Sequence, residues 1–393
     1  MSSSQRSSER PADDGQGAPS EAALHFAQLL GFLELDPENI PLLKDAIAAA
    51  LSVSDFDNFD LLLSRHNKLA EPTNPIRNLE GIAALRRQRF DEAISIFERL
   101  RSDGEDVPAV RFNLAWIAAL QMRHEDVLSL TDEAVIAGIP RAAALRVQAL
   151  HHLGQFDEAL AAGQKMAEIH PHDNYLLGAM SVAAMDVDDY ELAKYYASKA
   201  TGGSDALTTQ GLVSLYENGA LEANGLFDRA LAEHPDAPRA WLGKGLCFLA
   251  EGDVDAAIPC LQKGAEIFED HLGSWIALGW THFIRKDLAE ARKSFDIALS
   301  HDDNFAETHG GLAVLDVAEG HLDSAKRRAE IAIRLDRQCF GGMLANVMLA
   351  EARGNPELAK KIADRAMNTS MGVDGKTLAE AMIGLGVKGD ARH

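Results

Sequence analysis

Cysteine is scarce in this sequence, which contains only Cys247, Cys260 and Cys339 among 393 residues. Three widely spaced cysteines exclude a disulfide framework and a four-cysteine metal site, and they favour a reducing compartment. No segment approaches the roughly 18 consecutive apolar residues that a membrane-spanning helix needs. The first 20 residues also lack the apolar core of a signal peptide. We therefore expect a cytoplasmic protein that has no membrane partner.

Positive charge is also in short supply, because 38 lysines and arginines face 60 aspartates and glutamates, which gives a formal net charge of -22. Such a field repels phosphate backbones, so we expect no nucleic-acid partner. The sequence has no G-x-S-x-G, no phosphate-binding Gly-Lys-Ser/Thr loop and no H-x-E with a cysteine pair. These absences predict that the protein is not an enzyme and has no catalytic residues.

The remaining candidates for a cofactor or metal site are weak. Residues 384–389 match G-x-G-x-x-G, but no strand precedes them and only four residues follow, so a dinucleotide fold is excluded. The pair His151 and His152, and the pair His170 and His172, lack a third ligand at a recognisable spacing. We expect no cofactor and no metal.

The sequence does contain a strong internal repeat. Beyond residue 20, apolar residues recur at helical spacing in segments of about a dozen residues, separated by short breaks. One alanine position recurs through the chain, with Val127 as its exception, and its last five members are 34 residues apart: Ala93, Ala159, Ala193, Ala223, Ala257, Ala291, Ala325 and Ala359. Two further columns of mostly small residues lie twelve residues before and seven after it. Small side chains at these places predict helices that pack with their backbones close together.

This pattern resembles the tetratricopeptide repeat family, whose small and large apolar positions it matches over residues 74–369, most specifically from residue 204 onward. The resemblance implies an all-α, right-handed α-solenoid, a superhelix of about nine to ten helix-turn-helix units. We expect a disordered tail over 1–20, a helical cap with a degenerate repeat over 21–73, nine units over 74–369, and a capping helix and tail over 370–393.

In that family the first helix of each unit lines a concave groove. Applying the family register to this chain gives the candidate partner-binding residues, all of which the resemblance implies: Phe112, Trp116, His151, His152, Leu212, Leu215, Tyr216, Leu246, Leu249, Trp280, Phe283, Val314 and Val317. The register also places Leu120 and Ile284 on this face.

The asparagine and lysine or arginine residues with which some family members grip a carboxylate are missing from these positions. The predicted groove is instead apolar and aromatic, which suits an amphipathic helix or an extended apolar segment of another protein. We therefore predict a non-catalytic, chaperone-like adaptor or scaffold that shields an apolar segment of a client protein. Two alternatives stay open: a self-assembling scaffold whose groove takes the terminus of another copy, and a groove filled by inter-repeat core or by the chain's own termini.

Overall fold

The computed structural model describes residues 20–217 and 219–367. Every regular element in these residues is an α-helix, and the chain forms two compact units, residues 1–149 and 150–393. Residues 1–19 of the tail predicted over 1–20, the capping helix predicted over 370–393 and the glycine motif at 384–389 lie outside the described residues.

The first unit contains a short series of helices that ends within α9. Their bounds are α1 Glu21–Leu35, α2 Ile40–Ser52, α3 Phe56–Leu69, α4 Asn74–Arg86, α5 Phe90–Ser102, α6 Pro108–Leu120, α7 His124–Leu130, α8 Glu133–Gly138 and α9 Pro140–His152.

The second unit continues the series from the end of α9. Its helices are α10 Phe156–Ile169, α11 Asn174–Asp186, α12 Tyr190–Lys199, α13 Ser204–Tyr216, α14 Ala220–Glu233, α15 Pro238–Ala250, α16 Val254–Phe268, α17 Leu272–Ile284, α18 Leu288–His301, α19 Ala306–Ala318, α20 Leu322–Leu335, α21 Phe340–Ala352 and α22 Pro356–Met367.

From α4 onward the helices alternate as the first and second helix of a pair, with α7 and α8 together taking the place of one second helix. First helices contact one another in succession, α4 with α6 in the first unit, and α11 with α13, α13 with α15, and α19 with α21 in the second. Six second helices pack between their own first helix and the next one: α5, α12, α14, α16, α18 and α20. The predicted all-α solenoid is therefore confirmed as the fold class.

The recurring small residues are explained by a phenylalanine of the second helix. Phe227 of α14 is fully buried between Gly211 of α13 and Gly243 of α15. A Cβ atom at Gly211 would lie 2.6 Å from the Phe227 ring, and one at Gly243 would overlap it. Phe97 and Phe295 are buried against glycines in the same way. The ring therefore fills the space that two first helices leave open.

The turn between the first and second helix of a pair uses a left-handed residue. Positive φ occurs at this place both in glycines and in other residues: Ser54, Gln88, Met122, Gly154, Asp188, Gly252, Lys286, Gly320 and Gly354. Such a residue ends the first helix and lets the chain reverse within three residues. The glycines that break the sequence pattern are thus helix caps.

The pair formed by α6, α7 and α8 departs from this plan. Its second helix breaks after Leu130, where the buried Thr131 hydroxyl donates to the Val127 carbonyl oxygen at 2.7 Å. The Asp132 side chain accepts from the Val135 N–H and so begins α8. Arg146 of α9 donates to the carbonyl oxygens of Leu128 and Thr131 at 2.7 and 3.0 Å. These bonds satisfy the backbone groups that the break frees.

All three cysteines are buried. Cys247 lies on α15, Cys260 on α16 and Cys339 just before α21, and none of them forms a disulfide. They serve as small apolar side chains at close helix contacts.

Candidate protein-binding surface on the first helices

The predicted partner-binding residues of the first unit lie on α6. Phe112 and Trp116 are half-buried, and their ring centroids are 6.2 Å apart. The guanidinium carbon of Arg141 lies 5.4 Å from the Trp116 ring centroid, a cation–π contact. Leu120, at the last residue of α6, is exposed. On α6, therefore, the half-buried side chains are aromatic and the exposed one, Leu120, is aliphatic.

The two predicted histidines belong to the second unit and differ in environment. His152 is exposed, whereas His151 is half-buried and its Nε2 atom lies 2.5 Å from Oδ2 of Asp186. Arg239, near the start of α15, donates to both carboxylate oxygens of Asp186, at the end of α11, at 2.9 and 2.7 Å. This ion pair links two first helices that both contact α13.

Burial by itself would raise the pKa of Asp186. The hydrogen bonds from His151 and Arg239 outweigh it and hold the pKa of this carboxyl well below its usual range. Asp186 therefore stays ionised, and Arg239 is already paired. Sequence inspection missed this cluster because Asp186 and Arg239 are 53 residues apart and share no motif.

The side chains on α13 run from the core to the surface. Leu212 and Leu215 are half-buried against the cluster around Phe227. Tyr216, the last residue of α13, is 50% exposed and stacks on Tyr190 with a centroid distance of 5.6 Å and an interplanar angle of 4°. Leu215 and Leu212 support the helix, while Tyr216 presents an aromatic surface.

The next two first helices continue the apolar rim. Leu246 of α15 is 37% exposed and Ile284, the last residue of α17, is 58% exposed. Leu249 is half-buried against the cluster that contains Leu261 and Leu278. The rim of the second unit therefore consists of Tyr216, Leu246 and Ile284, which we call the first-helix rim.

Trp280 and Phe283 lie deeper than an open groove would place them. The Trp280 ring centroid is 5.8 Å from that of Phe283, 5.4 Å from Phe295 and 5.6 Å from Phe340. Trp280 Nε1 also donates to Oε1 of Glu307 at 3.2 Å. Both side chains are half-buried members of core clusters, so they join helices to each other.

Val314 was predicted to line the groove, and its position differs most clearly from that prediction. It is 0% exposed, within the cluster that joins α19, α20 and α21, and Val317 is half-buried at its edge. The reason is a close approach of α19 and α21: a Cβ atom at Gly310 would lie 2.5 Å from the backbone nitrogen of Gly342. Val314 is therefore core and not groove, and the open part of the face lies on earlier helices.

Glu307 of α19 lies beneath Trp280 and connects it to the start of α21 through hydrogen bonds. Its carboxylate accepts from Trp280, from the Gly341 N–H at 3.1 Å and from the Cys339 thiol at 3.1 Å. Burial raises the pKa of Glu307, and the hydrogen bonds from Cys339, Gly341 and Trp280 offset this only in part. Burial likewise raises the pKa of Cys339 to about 12 and that of Cys247 to about 11.

One group of possible metal ligands occurs among the described residues. Ligand atoms of Asp316, Glu319 and His321 lie within 4.8 Å of one another. However, Asp316 pairs with Arg292 at 2.7 Å and with Arg328 at 3.3 Å. Two guanidinium groups already neutralise these carboxylates, so the group is an ion-pair network.

The sequence comparisons agree with this geometry. The sequence model described as tetratricopeptide repeat matches residues 78–138 and 208–271. Tetratricopeptide repeat protein 8 of Caenorhabditis elegans is 27% identical over 189 residues, which cover 47% of this chain and 37% of that protein. BBSome complex member BBS4 of Bos taurus is 24% identical over 191 residues, covering 47% and 36%. The matches thus span little more than a third of these relatives' length.

Two solved structures share the fold over most of the chain. A crystal structure of the anaphase-promoting complex hetero-tetramer Cut9-Hcn1 aligns with 88% of this chain and 83% of its own, at 12% identity and a TM-score of 0.50. A monomeric mutant of IFIT1 with Gppp-AAAA aligns with 88% and 95%, at 11% identity and a TM-score of 0.51. At these identities the likeness concerns the fold alone.

Helix pairs that repeat with one register, together with a partly open first-helix face, define a helical repeat protein of the protein-interaction scaffold class. The sequence model also identifies the repeats: the chain contains tetratricopeptide repeats, which are matched over residues 78–138 and 208–271. Within residues 20–217 and 219–367, no helix has both the length and the apolar character to cross a membrane.

Proposed function

We propose that this protein is a non-catalytic adaptor that binds an apolar or amphipathic segment of a client protein along the first-helix rim. The supporting observation is the row of partly exposed large side chains Tyr216, Leu246 and Ile284 on three successive first helices, α13, α15 and α17. Tyr216 and Ile284 end their helices and Leu246 lies one turn before the end of α15, and exposed apolar side chains on successive first helices fit a segment laid across them.

The chemistry of the rim favours an apolar segment over a free carboxylate. Both outer nitrogens of Arg239, near the start of α15, are bound to Asp186. A client carboxylate would have to break that pair. Apolar contact does not require the Arg239–Asp186 pair to break. It also suits a chaperone-like role in which the rim shields an apolar segment from water.

The expected affinity is modest. Three anchors at about 2 kcal/mol each would supply roughly 6 kcal/mol, and the cost of ordering the segment offsets part of that. The proposal therefore predicts a client complex that exchanges readily.

Site-specific photo-cross-linking tests the proposal. A benzophenone amino acid is placed at position 246 in the full chain, and a matched probe at Leu221, which is 82% exposed on the second helix α14. We expect position 246 to capture clients through apolar or amphipathic segments, read by mass spectrometry of the joined peptides. Capture at position 246 should fall about tenfold when Tyr216→Glu plus Ile284→Glu is added to the same chain, since both side chains are at least half exposed and can change without disturbing the core.

Equal capture at both positions, or joined segments that are polar and charged, would refute the adaptor proposal. Light scattering of the full chain over a range of concentrations tests the self-assembling alternative. Oligomers that disappear when residues 374–393 are deleted would favour self-assembly. Trp280 and Phe283 are poor positions for these variants because they pack in the core.

A further inference from the structure

The first described helix, α1, is apolar nearly all around. Its sequence EAALHFAQLLGFLEL has only Glu21, His25, Gln28 and Glu34 as polar residues. Phe26, Leu29 and Leu33 are buried toward α2, as expected for a core-facing side. Yet Leu24, Phe32 and Leu35 on the opposite side are 51%, 58% and 85% exposed. A helix that is hydrophobic all around is normally covered on every side.

The exposed side of α1 has the spacing of a helix contact. Leu24, Gln28, Gly31 and Leu35 follow one another at intervals of four, three and four residues, which places them on one stripe. A Cβ atom built at Gly31 meets nothing within 4 Å. A second helix can thus approach closely at the middle of the stripe, between the two leucines.

The position of α1 in the repeat indicates that a first helix would pack on its exposed side. It contacts α2 as α5 contacts α6 and as α14 contacts α15, so it takes the place of a second helix. Every later second helix also packs on a first helix that precedes it. Residues 1–19 do not supply a matching apolar stripe, because Met1 is their only large apolar residue.

The charge around α1 indicates which kind of helix would pack on its exposed side. Residues 21–73 contain nine acidic side chains, against the three basic ones Lys44, Arg65 and Lys68, a net charge of -6. Glu21 and Glu34 lie on α1 itself and Asp36 and Glu38 follow it, and all four are exposed. A second copy would bring the same acidic groups against them, whereas lysines and arginines would pair with them.

We propose that α1 is a docking surface for a basic amphipathic helix of a partner protein. The partner helix packs its apolar stripe on Leu24, Gly31 and Leu35 as a first helix packs on a second, and its basic flanks face Glu21 and Glu34. This surface lies in the first unit and does not depend on the first-helix rim of the second unit, so either proposal can fail without the other.

The probe is a synthetic helix of about 18 residues, long enough to span α1, built from leucine and lysine with one apolar stripe. A scrambled peptide of the same composition removes the stripe, and a leucine–glutamate peptide reverses the charge. Binding to the full chain is measured by fluorescence anisotropy, with circular dichroism and thermal unfolding to show that each variant is folded. The variants are Phe32→Glu plus Leu35→Glu, the charge reversal Glu21→Lys plus Glu34→Lys, and the controls Leu221→Glu and Leu246→Glu plus Ile284→Glu.

We expect the striped basic peptide to bind the parent chain, and Phe32→Glu plus Leu35→Glu to weaken binding at least about tenfold. Because the first-helix rim would also take an amphipathic helix, the α1 variants are compared in the chain that carries Leu246→Glu plus Ile284→Glu, which removes that second site. In that chain Leu221→Glu should change binding less than about twofold, and charge reversal should shift preference toward the leucine–glutamate peptide. Equal binding by the Phe32→Glu plus Leu35→Glu variant, or by the scrambled peptide, overturns the proposal. So does a concentration-dependent dimer of the parent that excludes the peptide and is lost in the same variant, because a second copy is then the occupant.

Discussion

The pair α13–α14 and the pair formed by α6, α7 and α8 solve the same packing problem in two ways. In the first, Phe227 fills the space between successive first helices, and α14 runs unbroken for 14 residues. In the second, Thr131 stands four residues after the alanine position, where Phe227 stands in α14, and the helix breaks there. The comparison teaches that a large apolar ring at this place keeps the second helix continuous, while a polar residue must find backbone partners.

The largest effect is expected when the ring is removed from the regular pair. Phe227→Ala leaves a cavity lined by two glycines that cannot fill it, so we expect a loss of about 3–5 kcal/mol in the free energy of unfolding. Urea unfolding followed by circular dichroism measures it. A loss below about 1 kcal/mol would show that the ring is not what holds α13 and α15 together.

A methyl group added beside the ring should cost less. Gly243→Ala forces Phe227 or the α15 backbone to move, because the new Cβ would overlap the ring, and overpacking of this kind costs about 1–3 kcal/mol. The double variant Gly243→Ala plus Phe227→Leu gives the test. If the two changes add without compensation, the overlap is not the cause.

The irregular pair depends on Arg146 in place of a ring. Arg146→Met keeps an unbranched apolar side chain but removes the guanidinium, which leaves the carbonyl oxygens of Leu128 and Thr131 without this donor, so we expect a loss of about 1–2 kcal/mol. Hydrogen exchange of the α7 and α8 amides should rise in the same variant. Exchange that rises equally across α4 and α5 would argue against a local role.

The smallest effect concerns a turn that both kinds of pair share. Lys286 has a φ of 67°, a conformation that glycine adopts without steric cost, so Lys286→Gly should stabilise the chain by up to about 1 kcal/mol. Gly320→Ala, at the same place in the α19–α20 turn, should destabilise it by a similar amount. Thermal unfolding of both variants checks the prediction: the midpoint should rise for Lys286→Gly and fall for Gly320→Ala.

The repeat itself was predictable from the sequence because its cause is local. Small residues recur where backbones must be close, and the 34-residue spacing predicts the pairs from α13 onward without any knowledge of contacts. The break in the α6 pair was not predicted, since it depends on Arg146 reaching back 18 and 15 residues to two carbonyl oxygens.

Some of the predicted binding residues are exposed and others are buried, again because of contacts between residues far apart in the sequence. The register predicted one face for all of these residues, but the exposure of a side chain on that face depends on how near the next first helix lies. Gly310 and Gly341 bring α19 and α21 together and bury Val314, while Tyr216 and Leu246 keep open surface. Whether a partner binds there stays a prediction that the proposed cross-linking tests.

The three buried thiols have a practical consequence. Thiolate is the reactive form of cysteine, and the raised pKa values of Cys247 and Cys339 keep these groups protonated at neutral pH. Burial also keeps oxidants and alkylating reagents away from Cys260. A single new cysteine on the surface of the folded protein would therefore react alone, which makes this chain a natural substrate for site-directed spin or fluorophore labelling without prior removal of its own cysteines.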